Sequence, residues 1–143
     1  MIFREIAFGS DDYRRECSLR DEVLRVPLKL SLRDEDLSAE SDQLHFGLFD
    51  PEGGILACVV VIPVSADDAR IRQMAVSPLH QGTGLGRKLM TGLERNLRSR
   101  GFTRFTLHAR ASALGFYQKL DFTVTSGEFL EVGIPHFVME KEG

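Results

Sequence analysis

The sequence predicts a mixed α/β fold, and three features carry that prediction. Short apolar or alternating runs recur along the chain, among them "LHFGLF", "ILACVVVIPV" and "FTRFTLHA". Turn-forming residues separate them, most plainly "DPEGG" at 50–54. One long helical stripe interrupts the strands: Leu85, Leu89, Leu93 and Leu97, with Met90 beside them. A four-residue repeat drifts by only about 40° per step, so these leucines stay on one helix face.

The elements follow in order. "IFREIAF" alternates loosely and reads as an edge strand. "DDYRRECSLRDEVLR" reads as a helix that opens on an aspartate cap and closes before Pro27. "LHFGLF" and "ILACVVVIPV" form a hairpin across the "DPEGG" turn. "ARIRQMAVS" is a further strand, broken by Pro78. The leucine-striped helix stops at Gly101, a favourable C-terminal residue. "FTRFTLHA" is then a strand, "SALGFYQKL" a short helix that turns Leu114 and Phe116 to the core, and "DFTVTS" and "PHFVMEK" are the last strands. The expected order is β-α-β-β-β-α-β-α-β-β.

At 143 residues the chain is expected to form one domain, 1–143, large enough to bury a core without disulfides or a structural metal. Cys17 and Cys58 stand alone and form neither a disulfide framework nor a zinc pattern. No apolar run approaches a membrane span, and "MIFREIAFGSDDYRRE" lacks the features of a secretory signal. A cytoplasmic protein with no membrane partner is expected. The net charge of −3 argues against a nucleic-acid surface. Locally, however, Arg87, Lys88, Arg95, Arg98, Arg100 and Arg104 stand against the single acid Glu94. Either an anionic ligand binds there or these residues form a solvated face, with Glu94 pairing Arg98 one turn on.

"HQGTGLGRKLM", His80 to Met90, places Gly82, Gly84 and Gly86 directly before the helix. A phosphate loop of the G-x-x-x-x-G-K-S/T type is excluded, because the fifth residue after Gly82 is Arg87 and no Gly-Lys pair follows. The dinucleotide pattern G-x-G-x-x-G also fails at Arg87. Two readings remain: a tight turn with close helix packing, or a cradle for an anion such as a pyrophosphate. In the second, unbonded amides and the helix dipole face the ligand, and Arg87 and Lys88 add charge at the rim. Absent β-carbons would let the phosphates approach.

Two segments together carry a resemblance. "MAVSPLHQGTGLGRKLM" fits V-x-P-x-x-Q/R-x-x-G-x-G/A, and "ALGFYQKLDF", about thirty residues later, fits A-x-x-F-Y-x-K-x-G-F. The chain thereby resembles the GNAT superfamily of acetyl-CoA-dependent N-acetyltransferases over roughly residues 43–141. The resemblance implies a GNAT-like, mostly antiparallel sheet flanked by helices and splayed between its fourth and fifth strands. It implies that Gln81, Gly82, Thr83, Gly84, Leu85, Gly86 and Arg87 wrap the coenzyme A pyrophosphate, and that Met74, Ala75 and Val76 pair with the pantetheine arm. Ala113 and Phe116 would line the coenzyme wall, and Tyr117 would point at the thioester sulfur. Asp121 replaces the family's glycine, and Arg110 stands where many members carry an asparagine that touches the coenzyme.

The implied reaction moves an acetyl group from acetyl-CoA to a primary amine of a small molecule or peptide through a tetrahedral intermediate, without a metal. A backbone N–H near Val76 would face the oxyanion. A tyrosine near pKa 10 protonating a thiolate near 8.5 is uphill by about 2 kcal/mol, so Tyr117 is expected chiefly to hydrogen-bond the sulfur. His108, His136 and Glu131 are the candidates for moving the amine proton; His45 lies on a strand and His80 in the loop. Glu128, Glu131, Asp67 and Asp68 would either form an acidic mouth for a cationic amine or lie on the solvated surface. Pairing into a homodimer through sheet edges or the final strands is left open. The alternative function is a non-catalytic acyl-CoA-binding or sensing module, which would not need Tyr117.

Overall fold

The computed structural model describes residues 1–142. Eight strands form one mixed, mostly antiparallel sheet, with three α-helices and several short helical turns packed on it. The strands are β1 (Ile2–Ile6), β2 (Leu44–Phe49), β3 (Ile55–Pro63), β4 (Asp68–Val76), β5 (Arg104–Arg110), β6 (Thr123–Val124), β7 (Phe129–Glu131) and β8 (Ile134–Glu142). The path is β1-β2-β3-β4-β5-β8-β6, with β7 paired to β8. The helices are α1 (Asp11–Arg20), α2 (Leu85–Ser99) and α3 (Leu114–Gln118). No helix among the described residues is long and apolar enough to cross a membrane.

The expected hairpin is present, with β2 and β3 antiparallel across the 50–54 turn. The leucine stripe of α2 lies against one face of the sheet, where Leu89, Leu93 and Leu97 meet Val59, Val61, Ile71, Phe105 and Leu107. Burying each such side chain contributes about 1.5–3 kcal/mol. The alternation of "ARIRQ" then decides the opposite face: Ala69 and Ile71 turn inward, so Arg70 and Arg72 turn away.

Several sequence expectations are corrected. Ser10, not an aspartate, caps α1, accepting from the Tyr13 N–H at 3.1 Å. The helix does not close before Pro27: it continues as a π turn over Asp21–Arg25 and a 3-10 turn over Val26–Leu28 that contains the proline. Proline is tolerated there because the first turn of a helical segment needs no N–H from it. Strand β7 was not expected; its three residues are too few for an alternating pattern, and it exists because it folds back on β8.

The parallel pair β4–β5 sets the shape of the groove. It is bonded only from Asp68–Ile71 to Arg104–Leu107, and beyond that the two strands part, as the expected splay requires. A bulge accounts for the divergence. The β3–β4 register shifts between Cys58 and Val60, and Gln73 opposite takes φ +55°. An extra residue bends its strand and ends the ladder on one side. Arg25 Nη2 donates to Gln73 Oε1 at 3.2 Å, tying the bulge to the π turn.

A second core is polar. Arg20 is fully buried and donates to Glu16 Oε2 at 2.8 Å and to both Glu40 oxygens at 2.8 and 2.7 Å. His45 is 1% exposed, with Nδ1 3.0 Å from Glu16 Oε2 and Nε2 2.9 Å from the Glu40 carbonyl. Both partners are acceptors, so the ring is held as an imidazolium. Burial opposes that charge, but the Glu16 hydrogen bond and charge outweigh it and raise the His45 pKa. Two carboxylates are thus balanced by two cations, and the Tyr13 hydroxyl adds a 2.7 Å bond to Glu40.

Candidate active site

The loop before α2 has the geometry of an anion cradle. Gly82 and Gly84 adopt φ +80° and +84°, and a Cβ at either would meet nothing within 4 Å. Only glycine takes this backbone without strain, and the space beside it stays open. Gly84 is the N-cap of α2 and supplies no side-chain cap. The helix ladder starts with the Lys88 N–H bonding Gly84 O at 3.1 Å, so the amides of Leu85, Gly86 and Arg87 point from the helix start. A pyrophosphate fits such a helix terminus.

Not every residue of the expected cradle has the same task. A Cβ on Gly86 would lie 3.1 Å from the Phe116 ring, so this glycine allows α2 and α3 to touch rather than a phosphate to approach. The Leu85 side chain is 4% exposed and belongs to the core, leaving only its amide for a ligand. The Gln81 amide donates to the Val76 carbonyl at 3.2 Å and so closes the turn at the strand end. Thr83 bonds the His80 carbonyl through its hydroxyl. Arg87 and Lys88 are exposed at the rim. The basic segment divides: Arg98 pairs with Glu94, Arg100 with Glu5 and Arg104 with Glu142, whereas Arg87 and Arg95 line an open cleft of about 410 Å³ beside α2.

Where β4 and β5 part, a second cleft of about 410 Å³ opens. Met74 on β4, Ala113 before α3, and Tyr117 form part of its wall, with His108, Glu131 and His136 further along. Val76 ends β4 beside Gly86, and Ala75 turns its side chain into the opposite core. Among the described residues, the edge of β4 facing β5 has no strand partner from Arg72 to Val76, leaving backbone groups for an extended ligand. Tyr117 is 9% exposed, its hydroxyl 3.9 Å from Met74 Sδ, and burial pushes its pKa up to about 12.

The three candidates for proton transfer converge. Glu131 Oε1 lies 2.9 Å from His108 Nδ1, and Oε2 lies 3.6 Å from His136 Nε2. Burial works to raise the Glu131 pKa, but the His108 hydrogen bond and the surrounding positive charge outweigh it and hold the carboxyl below its usual range. His136 is 4% exposed and its Nδ1 bonds the Ile134 carbonyl at 2.7 Å, whereas His108 opens onto the cleft. His45 belongs to the buried ion network and His80 to the turn after β4.

The acidic mouth is not formed. Asp67 and Asp68 sit at the far end of β4, where Asp68 pairs with Arg104, and Glu128 is exposed outside the cleft. Instead Arg25, Arg70, Arg72 and Arg110 face the cleft with Glu131. Arg110, at the end of β5, has no carboxylate within 4.0 Å among the described residues. Sequence reasoning missed Arg25, Arg70 and Arg72. The alternation in "ARIRQ" already put the last two on one face, but only the partly uncovered sheet turns that face into a groove.

Comparison with known proteins fits this geometry. A family model described as an acetyltransferase (GNAT) domain matches residues 31–143. The Bacillus subtilis protein YyaT is 39% identical over 74 residues, 52% of this chain and 50% of its own length. The chain thus spans about half the length of the first curated relatives it matches. YjcF of Bacillus subtilis, described as an uncharacterized N-acetyltransferase, is 28% identical over 145 residues, covering 96% of this chain and 97% of YjcF. Among solved structures, Escherichia coli ElaA superposes with a TM-score of 0.83 at 20% identity over 99% of both chains. An acyl-CoA N-acyltransferase from Pseudomonas aeruginosa superposes with a TM-score of 0.81 at 24% identity over 98% of both.

Proposed function

The chain belongs to the GNAT acetyltransferase family, and from that membership we propose that it transfers an acetyl group from acetyl-CoA to a primary amine of a small molecule or peptide. The observation that carries the reading is the arrangement along β4. Its edge toward β5 is unpaired among the described residues from Arg72 to Val76, Val76 lies beside Gly86 at the start of α2, and Met74 joins Tyr117, His108 and Glu131 in the cleft wall. Acyl-CoA donors are extended, with an anionic end and an apolar arm, and this arrangement offers both environments in that order. An aminoglycoside 6'-N-acetyltransferase solved with coenzyme A shares the fold, with a TM-score of 0.76 at 17% identity over 99% of this chain and 97% of its own.

In this reading the Gly82–Arg87 amides hold the pyrophosphate and Arg87 and Lys88 add charge. The residues Met74–Val76 carry the pantetheine, with Ala113 and Phe116 against it, and Arg110 reaches the anionic part of donor or acceptor. The amine attacks the thioester carbonyl; a C–N bond forms and the C–S bond breaks. The Val76 region supplies an N–H to the oxyanion. His108, its Nδ1–H donated to Glu131, keeps Nε2 free to take the amine proton. His136, committed to Ile134, positions Glu131 from behind.

Tyr117 acts as a hydrogen-bond donor to the departing thiolate. With its pKa near 12 against about 8.5 for a thiol, full proton transfer is uphill by about 5 kcal/mol. The sulfur's proton therefore comes late, from the protonated base or from water.

Thiol release from acetyl-CoA over a panel of amines tests the proposal. Amine-dependent release is expected, with Tyr117→Phe lowering kcat by about tenfold or more and leaving the KM for acetyl-CoA nearly unchanged. His108→Ala is expected to lower kcat by about a hundredfold or more, and His136→Ala by much less. Binding of acetyl-CoA without turnover on any amine would support a sensing module instead. An unchanged kcat in Tyr117→Phe would remove that residue from the chemistry.

A further inference from the structure

The charge in the acceptor half of the groove is positive, the opposite of what a polyamine or an aminoglycoside needs. Four arginines face one glutamate. Two of the four are already paired: Arg25 holds Glu35 at 2.5 Å, and Arg72 lies 3.7 Å from Glu40. Arg70 has no carboxylate within 4.0 Å among the described residues, although it lies on the same sheet face as His108.

The contacts of Arg70 are incomplete in a specific way. Its Nε is buried and has no hydrogen-bond partner among the described residues, and its Nη2 lies 3.2 Å from His108 Nδ1. Glu131 Oε1 lies 2.9 Å from that same Nδ1. One ring nitrogen cannot donate to the carboxylate and accept from the guanidinium together. When Nδ1–H serves Glu131, as the proposed base requires, Arg70 Nη2 loses its acceptor. Nε and Nη2 carry the two parallel N–H groups of one guanidinium edge, and that whole edge is then unsatisfied. A carboxylate is the planar acceptor that matches such an edge with two oxygens.

We infer that the acceptor carries a carboxylate besides its amine, and that Arg70 holds this carboxylate side-on in the groove between β4 and β5. The inference rests on the amine-acetylation reading and names the substrate class for it: amino acids or short amino carboxylates. Arg110 lines the same cleft and adds positive charge toward the C-terminal ends of β4 and β5. The same field disfavours the ammonium form of the bound amine, which raises the neutral fraction able to attack.

The test compares matched acceptors that differ only in the anion: L-lysine with cadaverine, β-alanine with ethylamine, and phosphoethanolamine with ethanolamine. The readout is kcat/KM for thiol release from acetyl-CoA. The wild-type enzyme is expected to prefer each carboxylated member at least tenfold, with no larger preference for phosphoethanolamine. Arg70→Met is expected to erase that preference through KM for the carboxylated members, while Arg70→Lys restores part of it. Equal or better use of the decarboxylated partners overturns the inference, as does a preference unchanged in Arg70→Met. Stronger use of phosphoethanolamine than of any carboxylate assigns the seat to phosphate and also overturns it. The wild-type ratios stand without any variant, should Arg70→Met not fold.

If acetyl-CoA binds but no amine is turned over, the transfer reading fails by itself. The seat is then judged by calorimetric binding of N-acetyl-β-alanine against N-ethylacetamide. Tighter binding of the carboxylate supports the seat, and equal binding refutes it.

Discussion

Replacing Arg20 with methionine probes the ion network behind the groove. Methionine keeps the unbranched apolar stem but removes the guanidinium's single positive charge and its hydrogen bonds from between Glu16 and Glu40, both of which are buried. His45, the more distant Arg72 and the neutral Tyr13 hydroxyl are then left against two carboxylates. Breaking a buried pair from one side costs about 3–5 kcal/mol, because the remaining charge stays desolvated. A domain of this kind has about 5–15 kcal/mol in total, so the loss is a large fraction of it. At about 2–4 °C per kcal/mol, the melting midpoint falls by roughly 10–15 °C.

The pH dependence is the sharper part of that prediction. In the native chain burial tends to raise the Glu40 pKa, but Arg20, Tyr13 and Arg72 outweigh it and lower it. A depressed carboxyl contributes stability above its unfolded pKa of about 4.3, and that contribution is lost as pH falls through the folded value. In Arg20→Met burial prevails, the folded pKa rises, and the carboxylate becomes a liability that grows with pH. The gap between the two proteins must therefore narrow as pH falls toward about 4. The chain has no tryptophan, so urea unfolding is followed by far-ultraviolet circular dichroism. A loss under about 1 kcal/mol at neutral pH, or a gap that does not change with pH, would refute the reasoning.

Two further outcomes follow from particular contacts. His45 has a raised folded pKa, so its contribution to stability is complete below about pH 6.5 and lost as pH rises through the folded value; thermal melts on the alkaline side should show this slope in the native chain and not in His45→Gln. Gly86→Val forces a side chain onto Phe116 and is expected to cost about 1–3 kcal/mol and to weaken coenzyme A binding by calorimetry. Gly115→Ala meets nothing within 4 Å and is the control; if the two variants behaved alike, the packing role of Gly86 would be wrong.

What could be read in the sequence was what local pattern controls. The leucine stripe of α2, the 50–54 turn and the alternation in "FTRFTLHA" each follow from neighbours in the chain, and all three elements stand where expected. The glycine loop was legible for the same reason: Gly82 and Gly84 are needed by backbone torsions at their own positions. Features that depend on distant partners were not legible. Glu16, Arg20, Glu40 and His45 look like ordinary surface residues until α1 is packed over β3 and β4. The bulge at Gln73 has no glycine or proline to announce it, and its side chain is held from Arg25, 48 residues away. The acidic mouth failed because Asp67 and Asp68 are close in sequence to the site strand but lie at its other end. Asp121 occupies a position with φ +71°, which gives the physical reason that glycine suits this turn and shows aspartate accepting it.

The central claim is that an acyl-CoA donor lies with its pyrophosphate on the start of α2 and its thioester in the split between β4 and β5. Backbone amide chemical shifts during titration with coenzyme A test it most directly. The largest changes are expected at Gly82–Arg87 and at Met74–Val76, with smaller ones at Phe116 and Tyr117, while the amides of β1 and β2 stay still. Changes confined to other elements, or none at concentrations that saturate related enzymes, would contradict the account.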